Sequence, residues 1–129
     1  MVKWDDYFNT IEIPKDKDKL ELIFEMQKKL MERYGVEKKD INTLDGQNQL
    51  RAFGMRIFEE IGEIFHCLKN KSWVVNQTEV DKNAVYDEIA DVWHFFIELL
   101  ILFDLDAEKC TKLYLAKNKV NNHRLDSNY

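Results

Sequence analysis

Four carboxylates of the chain fall into two pairs of equal spacing, Glu60 with Glu63 and Glu88 with Asp91. Residues three apart on a helix lie on the same side, one turn from each other. Each pair therefore offers two carboxylates on one face. Two such helices packed antiparallel would bring all four together, where unpaired charges repel and take up protons. A divalent metal resolves that conflict. Oxygen-only ligands suit Mg2+ or Mn2+, and Mg2+ usually shares its shell with substrate phosphates. One acidic pair alone reads as a solvated helix face. Two pairs of identical spacing, each set beside apolar residues such as Ile57, Ile61 and Ile64 or leading into "VWHFFIELLILF" at 92–103, point to a shared ligand.

A second metal chemistry is also written in these segments. Glu63 and His66 form E-x-x-H, and Asp91 and His94 form D-x-x-H. Di-iron bundles use Glu-x-x-His on two helices and a lone Glu on each of two others. The lone glutamates would have to be Glu21, Glu25 or Glu108, which sit beside lysines as surface charges do. A non-catalytic helical dimerisation module is the third possibility. Bound iron with histidine ligands, or a lack of phosphate-releasing activity, would separate these readings from the first.

The elements that must position the carboxylates are helices. Four glycines and one proline in 129 residues leave little turn chemistry. Leu20, Ile23, Phe24, Gln27, Leu30, Met31 and Tyr34 follow helical spacing from Asp18, and Gly35 is a natural stop. A second helix is expected from about Asp45 to Leu68, with a possible break at Gly54. A long connection follows, and Asp81 or Asn83 can cap a third helix reaching about Phe103. Asp106 can cap a fourth, ending near Lys119. Residues 1–17 read as a polar, irregular lead-in to a single domain spanning 1–129, and 117–129 as a mobile tail. The expected fold is all-α, a bundle of four to five helices. The 92–103 run is too short for a membrane span, which needs about 20 apolar residues, and His94 and Glu98 interrupt it. A helix so apolar all round is a central one. So small a chain has few helices to cover it, so completion by a homodimer or a dimer of dimers is expected.

Composition narrows the partners. A formal charge of −5 argues against a broad nucleic-acid footprint. A polyanionic small ligand would need local cations or a metal. Cys67 and Cys110 match no metal-ligand spacing and read as free thiols of a reducing cytosol. "MVKWDDYF" lacks the apolar region of a secretion signal, so a cytoplasmic location, in a bacterium or a phage-infected cell, is expected.

Taken as a set, Glu59, Glu60 and Glu63 as E-E-x-x-E with Glu88 and Asp91 as E-x-x-D resemble the signature of the all-α nucleoside triphosphate pyrophosphatases, the MazG-like superfamily. Further residues resemble its dimeric dUTPase branch, in a compact form of the kind found in phages. They are Gln27 in "MQKKL", Trp73 in "KSW", and Asp91, His94 and Phe95 in "DVWHFF". Lys117, Asn118, Asn121, Arg124 and Tyr129 follow its K-N-x-x-N-x-x-R-x-x-x-x-Y ending. Leu125 and Asn128 depart from the branch, which usually has Gln and Gly there.

The resemblance implies Mg2+-dependent cleavage of a deoxynucleoside triphosphate, dUTP first, to the monophosphate and pyrophosphate. Other substrates such as dATP, dGTP or dCTP stay open. It implies metal binding by Glu60, Glu63, Glu88 and Asp91, with Glu60 also orienting or deprotonating water. Lys117 and Arg124 would bind phosphate. Gln27 and Asn121 or Asn122 would read the base edge, Trp73 would stack on the base, and His94 would meet the sugar. Asn118 and Tyr129 would complete the substrate contacts.

Overall fold

The computed structural model describes residues 3–127, and every regular element among them is a helix. They are α1 (Trp4–Phe8), α2 (Lys19–Arg33), α3 (Leu44–Cys67), α4 (Lys82–Leu102) and α5 (Ala107–Asp126). The all-α expectation holds. Polar side chains start the four long helices by accepting from free first-turn amides. Asp18 accepts from Glu21, Thr43 from Gly46, Asp81 from Asn83 and Ala84, and Asp106 from Lys109. Two helices stop alike. Gly35 (φ 68°) ends α2 and Asp104 (φ 63°) ends α4 in the left-handed region. The next amide in each case, Val36 or Leu105, reaches back to Met31 O or Leu100 O at 3.0 Å.

Helices α3 and α4 run antiparallel, as their matched partners show. Phe53 packs with Leu102, Arg56 lies over the Phe95 ring, and Glu60 meets Glu88 and Asp91. Rising numbers on one helix thus meet falling numbers on the other. Helix α2 lies across α4 and contributes Phe24 and Gln27. One buried cluster joins Phe24, Ile97 and Ala107, and a second joins Met31, Phe53 and Leu102. Outside them, many large apolar side chains stay open, among them Phe58, Phe65, Trp93, Phe96, Tyr114 and Leu115. No helix is long and apolar enough to cross a membrane among the described residues.

Three sequence expectations are corrected here. The lead-in is not wholly irregular: α1 forms within it, anchored by the Trp4 amide on Asn83 Oδ1 at 2.9 Å and by Phe8 beside the Tyr86 ring. Helix α3 passes through Gly54 without a break. Helix α5 does not end near Lys119 but continues to Asp126. No glycine or proline interrupts 107–126, and Asn122 Nδ2 bridges back one turn to Asn118 O at 3.1 Å.

Candidate active site

The acidic centre is built from the facing surfaces of α3 and α4. Glu60, Glu88 and Asp91 bring carboxylate oxygens within 4.8 Å of one another. Among the described residues no other group of three acidic, His or Cys side chains comes so close. The i, i+3 spacing on α4 puts Glu88 and Asp91 one above the other, and the antiparallel α3 sets Glu60 opposite. Burial pushes the Glu60 carboxyl up to about 7, helped by its hydrogen bond with Glu88 and by the charges of Asp91, Glu88 and Glu63. Asp91 is also raised, first by partial burial and then by Asp87, while His94 opposes the shift. Glu63, one turn along α3, stays exposed and outside the group of three while acting on Glu60 through its charge.

This donor set fits a hard divalent cation. It is all oxygen, it carries uncompensated negative charge, and it holds neither His nor Cys. Histidine ligation of a di-iron kind is not assembled. His66 is exposed near the end of α3, and the His94 Nδ1–H donates to Ala90 O at 2.8 Å. A carbonyl oxygen only accepts, so Nδ1 carries the proton and Nε2 is left for other partners.

Beside the acidic centre lies a cleft of about 350 Å³, lined by Ile23, Gln27, Ala90, Trp93, His94 and Ile97. It therefore brings together Gln27 and His94, two residues singled out by motif. Gln27 is only 5 % exposed. Trp73 is not part of this wall: it stands in the α3–α4 connection, 76 % exposed, with the Lys71 ammonium 5.4 Å from its ring centre. Lys117, Asn118, Asn121 and Arg124 lie on the exposed outer half of α5, which packs on α2 through its opening turns. They are not gathered at the acidic centre. Tyr129 lies outside the described residues.

One buried polar residue of α4 lies outside the motif reading. Glu98 is 6 % exposed, and burial raises its carboxyl above the ordinary range while Arg56 and His94 pull it down. The sequence signal was present, since Glu98 interrupts the most apolar run of the chain seven positions after Asp91.

No curated protein and no solved structure matches the chain. A family model described as dUTPase matches residues 19–110, from the start of α2 through the first turn of α5. That span holds the whole acidic centre and the cleft beside it, and it covers well over half of the sequence. The chain belongs to the dUTPase family.

Proposed function

We propose that this protein is a Mg2+-dependent pyrophosphohydrolase of deoxynucleoside triphosphates, with dUTP the substrate to which the family points. The convergence of Glu60, Glu88 and Asp91, with the Glu60 carboxyl held near neutral, is the observation that carries this reading. These three residues, joined by Glu63, would hold Mg2+, or Mn2+ in its place. The ion supplies neutralisation of the triphosphate charge and polarisation of a phosphoryl oxygen. Glu60 is the general base. Its carboxylate faces Glu88 and Asp91 across the helix seam, where it would orient a water or accept its proton. Water attacks one phosphorus of the α–β anhydride, its proton passes to Glu60, and the bond to the bridging oxygen breaks. The nucleoside monophosphate and pyrophosphate leave.

Gln27 and His94 line the cleft in which the nucleoside would lie. Lys117, Asn118, Asn121, Arg124 and Tyr129 belong to a tail, 117–129, that closes over the phosphates. Trp73 stacks only if its loop moves toward the cleft. A homodimer or a dimer of dimers completes the fold by covering the Trp93 and Phe96 face of α4. The setting is the cytoplasm of a bacterium or an infected cell, where such an enzyme cleans or reshapes the nucleotide pool. Incubation with each dNTP and Mg2+ tests the reading: monophosphate and pyrophosphate are expected in equal amounts. Release of inorganic phosphate alone, or no product from any dNTP, would refute it.

A further inference from the structure

The cleft beside the acidic centre continues past its own walls. A second groove, of about 410 Å³, adjoins it and is lined by Trp4, Phe8, Tyr86, Ile89, Ala90 and Trp93. Ala90 and Trp93 belong to both linings, so the two spaces share a floor on α4. The first holds Gln27 and His94 among apolar residues, and the second is walled mainly by aromatic rings.

The order of residues around α4 gives the two spaces a direction. At about 100° per residue, His94 stands about 60° from Asp91, Ala90 about 100°, Tyr86 about 140° and Trp93 about 160°, all in the same sense. From Tyr86 to His94 they span about 12 Å of the helix axis. A path that starts at the carboxylates therefore meets the imidazole, then a small alanine, then the aromatic groove. Ala90 leaves the passage open because its side chain ends at Cβ.

The rings of this groove have faces to spare. Trp93 is half exposed and meets no other ring among the described residues. Phe8 and Tyr86 are exposed, with ring centres 6.4 Å apart across the α1–α4 junction. Trp4 Nε1 is fully enclosed and has no acceptor among the described residues, a costly state for a donor. A nucleobase answers both features. It offers two π-faces for stacking, and its edge carries an acceptor for the indole N–H once α1 yields to admit the ring. Trp73 does not fill this role where it stands, since it lines neither space. Helix α1 lies before residues 19–110, so this wall stands outside the core that the family shares.

We propose that α1 and α4 form a base-stacking slot, with Trp4 and Phe8 on one side and Tyr86 and Trp93 on the other. It holds the base of the substrate while the triphosphate lies at Glu60, Glu88 and Asp91. Stacking accepts any base, so the slot contributes affinity common to all dNTPs rather than a choice among them. This rests on the pyrophosphohydrolase reading above and adds to it the element that grips the base.

The test compares wild type with Trp4→Ala, Phe8→Ala and the conservative Phe8→Tyr, each checked for its fold by circular dichroism. In the two alanine variants KM for every dNTP that wild type turns over is expected to rise about tenfold, the scale of one lost stacking partner, with kcat little changed. Phe8→Tyr should behave as wild type. Calorimetric titration with Mg2+ then separates the base from the phosphates. The alanine variants should bind the α,β-imido analogue of dUTP about tenfold more weakly, yet bind imidodiphosphate, which has no base, as wild type does. Unchanged binding of the dUTP analogue overturns the slot. So does an equal loss for both ligands, which would make α1 a structural support. A change confined to sedimentation, with nucleotide binding intact, would give the groove to a second copy of the chain and also overturns it. If wild type hydrolyses no dNTP, the pyrophosphohydrolase reading falls, and the two titrations still decide the slot.

Discussion

Glu60 on α3 and Glu88 on α4 face each other across the helix seam, close enough for their carboxyls to share a proton, with Asp91 beside them. Two like charges in such a place cannot both form without opposition. The metal-free protein therefore stores a pH dependence. Glu60 titrates near its ordinary 4.5 when unfolded and near 7 when folded. Below about 4.5 both states hold the proton and nothing is lost. Between the two values the folded chain holds a proton that the unfolded chain has released, so stability falls as pH rises, and the full loss persists above about 7. Melting of wild type and Glu60→Gln without metal, over a pH series, should show their difference growing in favour of the variant through that window. A constant difference would contradict the shared-proton geometry.

Removal of a ligand charge should cost turnover. Glu60→Gln and Asp91→Asn are each expected to lower kcat by about 10²-fold or more, the usual worth of a positioned general base or ligand. Both should stay folded, since each substitution relieves repulsion. Wild-type turnover in either, at saturating Mg2+, would remove the acidic centre from the reaction.

The bundle depends on few buried residues. Leu102, 1 % exposed, joins Met31 and Phe53. Leu102→Ala should cost about 2–5 kcal/mol in urea unfolding, through lost burial and the cavity left behind.

The open aromatic face of α4 bears on assembly. Trp93 and Phe96 are about half exposed, and apolar Tyr114 and Leu115 stand nearby on α5. So large an apolar patch is unusual on a monomer. Sedimentation at micromolar concentration should give a dimer or a dimer of dimers, and Trp93→Asp should shift it toward monomer. A wild-type monomer would leave that face without its proposed cover.

Helix α5 carries the tail expectation. Deletion of 121–129 should weaken or abolish hydrolysis while leaving the ligand-free melting temperature nearly unchanged, because the outer half of α5 is exposed. Amide exchange over that half should slow when a non-hydrolysable dNTP and Mg2+ are added. Full protection without ligand would make it a fixed strut rather than a closing element.

The helices were legible where local chemistry decides them. Asp81 and Asp106 were readable caps, and Gly35 a readable stop, because each acts within one turn. Helix α1 was not, because its five residues are held by distant ones, Asn83 and Tyr86. The run from Lys119 to Asp126 carries polar residues common in loops, yet nothing in it breaks a helix. Spacing pointed to Glu60, Glu63, Glu88 and Asp91 meeting if their helices pack antiparallel; Glu60, Glu88 and Asp91 do meet, and Glu63 stays outside the group. The burial of Glu98 was not legible, since which polar residue is buried depends on how α2, α3 and α4 meet.

The Arg56 guanidinium lies 4.7 Å from the Phe53 ring centre and 5.8 Å from that of Phe95. Phe95 falls between Asp91 and Glu98 along α4, so a fixed cation sits at the level separating the two acidic zones. Arg56 draws the Glu98 carboxyl toward its charged form, and His94 acts on both Glu98 and Asp91. Substitutions at the two carboxyls therefore share a partner, and a double-mutant cycle between them should show coupling rather than simple additivity.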